Sequence, residues 1–222
     1  MIKIENVEVT GWEHAIRGMR NPMNSWDKSD TKWVDYNSNI DAFIDMDVDN
    51  MFIKVVGEND FDLMKKLTKA GTDHRKFMRM IVMYVDVTAP LYWWKEFDTY
   101  KVGTVRNSCS TMHKITDKEF TLDDFSYEYM SYDMVDVLNK IIEVLNIRRD
   151  DFLETKQKMF WWDVIQILPS SYNQRATVML NYEVLRNIYH ARKNHKLDEW
   201  RAFCKWIESL PYSELITGGD EK

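Results

Sequence analysis

The residues best suited to chemistry are a carboxamide and a guanidinium, Asn181 and Arg192, in the stretch that runs from Leu168 to Arg201. Eleven positions separate the two, so at 3.6 residues per helical turn they project within about 20 degrees of each other. Val184, Leu185, Ile188 and Ala191 recur among them at three- and four-residue steps, which makes an apolar stripe that must be buried. The helix carrying that stripe is expected to begin after Leu168-Pro169, with Ser170, Ser171 or Asn173 as its cap. Arg192 is thereby turned towards the interior. An unpaired guanidinium is costly there, so its partner is either a carboxylate of the chain or an anionic or carbonyl-bearing ligand.

A second group of reactive side chains lies in the segment from Phe97 to Lys114. Lys101 and Arg106 supply cations, Gly103 permits close backbone approach, and Ser108, Cys109 and Ser110 bring two hydroxyls and a thiol. The hydroxyls can serve a phosphate or simply bond within a turn. Arg106 and His113, if near, would favour the Cys109 thiolate as a nucleophile, whereas a free cysteine more often fills a small buried space. Asp45, Asp47 and Asp49 begin like a calcium loop, but Asn50 stands where its glycine belongs and Val56 where its bidentate glutamate belongs. No metal site is expected.

The elements that must position these groups follow from the patterning. A chain of 222 residues, 45% hydrophobic and 14% aromatic, can bury one sizeable core, and a single domain over 1–222 is expected, with 217–222 as a frayed tail. A strand over Ile2 to Val9 and a helix over Trp12 to Met19 open it, followed by a polar, irregular segment from Asn24 to Asn39. A short strand spans Met51 to Val56, a helix spans Asp60 to Lys69, and Phe77 to Ala89 reads as a central strand covered on both faces. Pro90 suits the first turn of a helix in which Trp93, Trp94 and Phe97 join the core. Glu119 to Tyr132 reads as a connection or lid, Asp133 to Leu145 as a helix, and Asp150-Asp151 as the start of another that ends in MFWWDVIQIL. Leu197, Trp200, Phe203, Cys204 and Ile207 mark a last amphipathic helix. A formal charge of −6 gives no general pull on nucleic acid or anionic membrane. With two distant cysteines, an opening MIKIENVEV unlike a secretory signal and no run long enough to cross a bilayer, a cytoplasmic location is expected.

The stretch around Arg192 resembles the C-terminal core of the flavin-dependent thymidylate synthases. That family's Leu-Pro, the Asn twelve residues after the proline and the Arg eleven further on match Leu168-Pro169, Asn181 and Arg192 without a gap. Asn187 matches its second Asn, His195 lies one residue before its histidine, and Glu183 stands where the family has arginine. Counting from Gly71, the family's RHRxxSxxxSxR motif falls on Asp98 to Ser110. Asp98, Thr99 and Tyr100 replace Arg-His-Arg, Gly103 replaces the first Ser, Ser108 keeps the second, and Ser110 replaces the last Arg. Thr72, Phe77 and Met78 likewise replace polar residues of the preceding motif.

The resemblance implies an α/β fold with a central sheet flanked by helices, assembled as a homotetramer. It implies reductive methylation of deoxyuridylate, or a related modification of a pyrimidine nucleotide, with FAD as cofactor and NADPH and methylenetetrahydrofolate as co-substrates. Arg192 would polarise the pyrimidine, Asn181, Asn187 and His195 would bind the flavin, and Ser108, Arg106 and Ser110 would hold the nucleotide. With Asp98 and Glu183 acidic where the family is basic, the alternative is a non-catalytic, oligomeric nucleotide-binding or interaction protein on the same fold.

Overall fold

The computed structural model describes residues 2–36, 40 and 42–218; positions 219–222 of the expected tail lie outside them. Among these residues β1 (Lys3–Thr10), α1 (Trp12–Arg20), β2 (Lys32–Asp35), β3 (Asp45–Asp47), β4 (Phe52–Val55) and α2 (Glu58–Lys69) come first. They are followed by β5 (Val82–Pro90), α3 (Leu91–Phe97), β6 (Val105–Ser108), α4 (Thr111–Lys114), α5 (Tyr132–Thr155) and α6 (Lys158–Ile167). The C-terminal elements are β7 (Asn173–Asn181), α7 (Tyr182–Arg192), α8 (Asp198–Ile207) and α9 (Glu214–Thr217). The larger sheet has strand order β1-β5-β7-β6, and a smaller antiparallel sheet has order β2-β4-β3. The result is a mixed α/β fold in which sheets are flanked by helices, as expected. No helix among the described residues is long and apolar enough to cross a membrane.

Two compact units divide the chain. The first comprises residues 1–5, 86–99 and 106–177. Its aromatic centre is Trp93, Trp94 and Phe97 on α3, all buried, with Trp93 stacked on Phe97 at 5.1 Å and edge-on to Trp94 at 4.9 Å. The Trp94 indole donates to the Gln174 carbonyl at 2.9 Å, so the polar end of a buried ring is satisfied. A further cluster joins Ile115, Phe120 and Phe125 to Leu138, Ile142 and Leu145 of α5 and Val164 of α6. The segment read as a connection or lid is anchored in the core at its first half: Phe120 and Phe125 are buried, and the Asn146 carboxamide bonds both the N–H and the carbonyl of Phe120 at 2.8 and 2.9 Å, while Tyr129 and Tyr132 are exposed. Nor does a helix start at Asp150-Asp151, because α5 continues to Thr155 and ends where Lys156 turns left-handed at φ 57.

The second unit comprises residues 6–85, 100–105 and 178–222. In it α1 buries Trp12, Ala15, Ile16 and Met19, and Trp12 meets Tyr182 and Tyr212 edge-on at 5.3 and 5.2 Å. Gly11 starts α1 at φ 88, and a Cβ there would come within 2.0 Å of the Met80 carbonyl oxygen, so only glycine fits. Asp60, in the first turn of α2, is fully buried and organises the segment before β2. Its Oδ1 accepts from Arg20 Nε at 2.7 Å. Its Oδ2 accepts from the hydroxyls of Ser29 and Thr31 at 2.6 and 2.7 Å and from two backbone N–H groups. Part of the stretch read as irregular is therefore pinned to one buried carboxylate.

Two expectations for strands need correction. The central strand begins only at Val82, since Phe77 and Met78 sit buried in a 3-10 turn over Arg75–Arg79. It is covered on one face by Met83, Val85, Val87 and Ala89, while Tyr84 on the other is exposed. The helix expected after Leu168-Pro169 is instead β7, in which Gln174, Ala176, Val178 and Leu180 are buried in alternation. That period of two is a strand's. The buried Gln174 disguises it, a polar side chain satisfied by donating to the Cys109 carbonyl at 2.7 Å.

Candidate functional site

The turn from β7 into α7 fixes Asn181. Its backbone is extended, and its Oδ1 accepts from Val184 N–H at 3.0 Å, so it is the N-cap of α7 rather than a residue inside a helix. Its Nδ2 has no hydrogen-bond partner among the described residues. Gly103, at φ 79, lies directly against it: a Cβ there would be 3.0 Å from Asn181 Nδ2 and 3.2 Å from Val184 Cγ2. Gly103→Ala should therefore cost about 1–2 kcal/mol, from the left-handed backbone and the displaced neighbours together. Urea unfolding of the variant checks this. Asn187, inside α7, has an exposed side chain with no hydrogen-bond partner among the described residues.

At the other end of α7, Arg192 is half-buried in an aromatic setting. Its Nε donates to the Tyr100 hydroxyl at 2.9 Å. The guanidinium carbon stands 4.9 Å from the Trp200 ring centre and 5.7 Å from that of Tyr100, both within cation–π range. Nη1 lies 2.9 Å from His195 Nε2, and Leu197 N–H lies 3.2 Å from His195 Nδ1. A neutral imidazole has one acceptor nitrogen, so only one of these two donors can be accepted at a time. Nearby Cys204 is buried and its thiol is pushed up to about 12 by burial and by Glu208, with Arg192 opposing. It is packing, not a nucleophile. The structure thus gathers Arg192 and His195, and sequence reasoning missed Tyr100 and Trp200 as their companions. Tyr100 carried no signal, being counted only as a replaced arginine, and Trp200 read as core.

The acidic replacement Glu183 is buried at the start of α7. Both its oxygens accept from Arg75 Nε, at 3.1 and 2.9 Å. Its charge is met from the 3-10 turn before β5.

In the first unit, Arg106 on β6 is held by Asp98, Nη1 to Oδ1 at 2.9 Å, with its guanidinium 4.5 Å from the Trp94 ring centre. Asp98 thus engages the cation expected to hold nucleotide. Ser110 caps α4, its hydroxyl accepting from Met112 and His113 N–H at 3.2 and 3.1 Å, which is turn bonding. Ser108 ends β6, half-buried. Cys109 is exposed, contrary to the small buried residue expected, and its N–H donates to the Arg175 carbonyl at 2.9 Å.

This architecture matches solved structures. Flavin-dependent thymidylate synthase ThyX from Helicobacter pylori, complexed with FAD and dUMP, superposes with a TM-score of 0.65 at 14% identity over 96% of this chain and 98% of that one. A second structure of Helicobacter pylori ThyX with FAD and dUMP gives 0.65 at 13% identity over 98% of both. The fold is that of the flavin-dependent thymidylate synthases. No protein-family model and no curated protein sequence matches the chain. On this ThyX-like fold the match lies in backbone path, while the side chains at Asp98, Glu183 and Ser110 answer to local partners.

Proposed function

We propose that the chain is a flavin-dependent enzyme of the thymidylate-synthase kind, acting on a pyrimidine deoxynucleotide by reductive methylation of dUMP or a related C5 modification. The observation that carries this is Arg192, a guanidinium held half-buried by Tyr100 and Trp200 on a fold whose solved relatives hold FAD and dUMP. A flavin fits the residues present: Asn181 Nδ2 and the Asn187 carboxamide are donors with no hydrogen-bond partner among the described residues, suited to carbonyl acceptors of a flavin ring. When bound, FAD would supply hydride, with NADPH and methylenetetrahydrofolate as co-substrates. Asn181 and Asn187 orient the ring. Arg192 stabilises negative charge on the pyrimidine carbonyl, pre-oriented by its aromatic neighbours so that little reorganisation is needed. His195 steadies that guanidinium. Homotetrameric assembly and a cytoplasmic location belong to the same proposal.

The second reading, a nucleotide-binding or interaction protein without flavin chemistry, is favoured by the Asp98–Arg106 ion pair, which neutralises a cation a phosphate would need. Asp98→Asn should free Arg106 and tighten binding of dUMP about tenfold, a gain of one charge-assisted hydrogen bond, measured by calorimetric titration. Colour decides between the readings. Purified protein should bind FAD and change its visible spectrum on addition of dUMP; colourless protein indifferent to both leaves the second reading. We also take 1–222 as one domain, which requires circular dichroism and tryptophan fluorescence to report a single coincident unfolding transition.

A further inference from the structure

We infer that the second unit carries a binding site for a small oxyanion, a carboxylate or phosphate on a planar or apolar body, walled by α1, the turn at Trp26 and β4. The inference stands apart from the flavin proposal. Its centre is Arg20, only 3% exposed. Nε is committed to Asp60 and Nη1 to the Ser25 carbonyl at 3.2 Å, while among the described residues nothing accepts from Nη2. That edge is turned to the cavities Arg20 borders rather than sealed in the core, and Asp60 has no capacity to spare. Its second oxygen already takes four donors, two of them the hydroxyl protons of Ser29 and Thr31.

Arg20 borders two cavities. One also carries Asp27 and Asp30, which repel an anion. The other, of about 300 Å³, sets three cations, Arg17, Arg20 and Lys54, against one carboxylate, Glu13. Lys54 is ion-paired with Glu13, and Arg17 is exposed, its guanidinium 3.0 Å from the His14 ring nitrogen and meeting no carboxylate among the described residues. Asp60 neutralises Arg20, so the free charge lies with Arg17, and Arg20 adds the donors of its open edge. The apolar wall is Ile16 and Trp26, whose half-exposed indole is fixed by its N–H bond to Asn21 Oδ1 at 2.8 Å. The volume is at the small end of ligand sites, and the pairing of guanidinium with an aromatic face suits an oxyanion attached to a ring.

Calorimetric titration of the full chain with phenyl phosphate, benzoate and inorganic phosphate tests the site. Phenyl phosphate or benzoate should bind saturably at one site per chain. Arg17→Gln should weaken that binding about tenfold, the loss of one charge-assisted hydrogen bond. Trp26→Ala should weaken the two aromatic probes and not inorganic phosphate, and Arg192→Gln should leave all three unchanged. Arg17 and Trp26 are surface positions, so unfolding curves matching the parent show the variants intact. Absence of saturable binding, an affinity indifferent to Arg17→Gln, aromatic probes indifferent to Trp26→Ala, or loss of binding in Arg192→Gln would each overturn the assignment.

Discussion

Asp60→Ala is expected to lose about 3–5 kcal/mol of folding stability, because it strands a buried guanidinium whose counter-charge has gone. Asp60 is completely buried and Arg20 nearly so, so water is a poor replacement for the lost carboxylate. The same substitution releases the Ser29 and Thr31 hydroxyls and the backbone N–H groups of Asp30 and Thr31, although Asp30 and Thr31 keep their bonds from the N–H groups of Gly57, Asn59 and residue 60. Chemical denaturation reads the loss as a lower midpoint. A double variant, Asp60→Leu with Arg20→Met, should recover part of it, since removing both charges costs less than removing one. An unchanged midpoint for Asp60→Ala would mean that the pair is not shielded from water. Acid should have a milder effect of the same kind. Burial alone would raise the Asp60 carboxyl, but bonds from Ser29, Thr31 and Arg20 outweigh it and hold it below its ordinary value of 3.8. A carboxyl depressed by folding contributes stability that is complete above the unfolded value and lost as pH falls below it towards the folded one. Asp60 should therefore contribute to unfolding below about pH 3.8 and leave the neutral range flat.

Arg192→Gln is the second large effect, and it should fall on turnover. If the proposed function holds, kcat/KM for the pyrimidine nucleotide drops about 10²–10³-fold, the usual loss when one donor that stabilises developing negative charge is removed. Arg192→Lys should not restore it, because an ammonium reproduces neither the planar contact with Trp200 nor the directional bond to Tyr100. Steady-state kinetics with FAD-loaded protein measure both. Folding stability should change by about 2–4 kcal/mol, the worth of the contacts with Tyr100, His195 and Trp200 together, and unfolding curves read this separately from turnover. Activity unchanged in Arg192→Gln would remove the guanidinium from the chemistry.

Much of the scaffold was legible because it is written in local periodicity. α1, α2, α3 and α8 show apolar residues at helical spacing, and each lies close to the span expected from it. β7 was misread for a physical reason: its alternation includes Gln174, whose burial depends on the distant Cys109 carbonyl, and no local pattern announces such a bond. Tyr84 shows the reverse case, an aromatic left exposed on a strand whose run of apolar residues looked covered on both faces. The candidate site divides in the same way. Asn181 and Arg192 were singled out by helical spacing and resemblance, although Asn181 ends β7 and caps α7 instead of lying within a helix, and their neighbours Gly103, Tyr100 and Trp200 come from other parts of the chain.

By itself, the sequence determined which residue types were present at fixed separations: helical stripes, a proline that opens α3, and an arginine eleven positions beyond an asparagine. Only tertiary structure decided what met each charge. Glu183 found Arg75, Asp98 found Arg106, Asp60 found Arg20, and Arg192 found a phenol and an indole. The reason is that spacing along a chain sets the direction of a side chain within its own element, while the energy of a charge depends on partners and dielectric supplied by other elements.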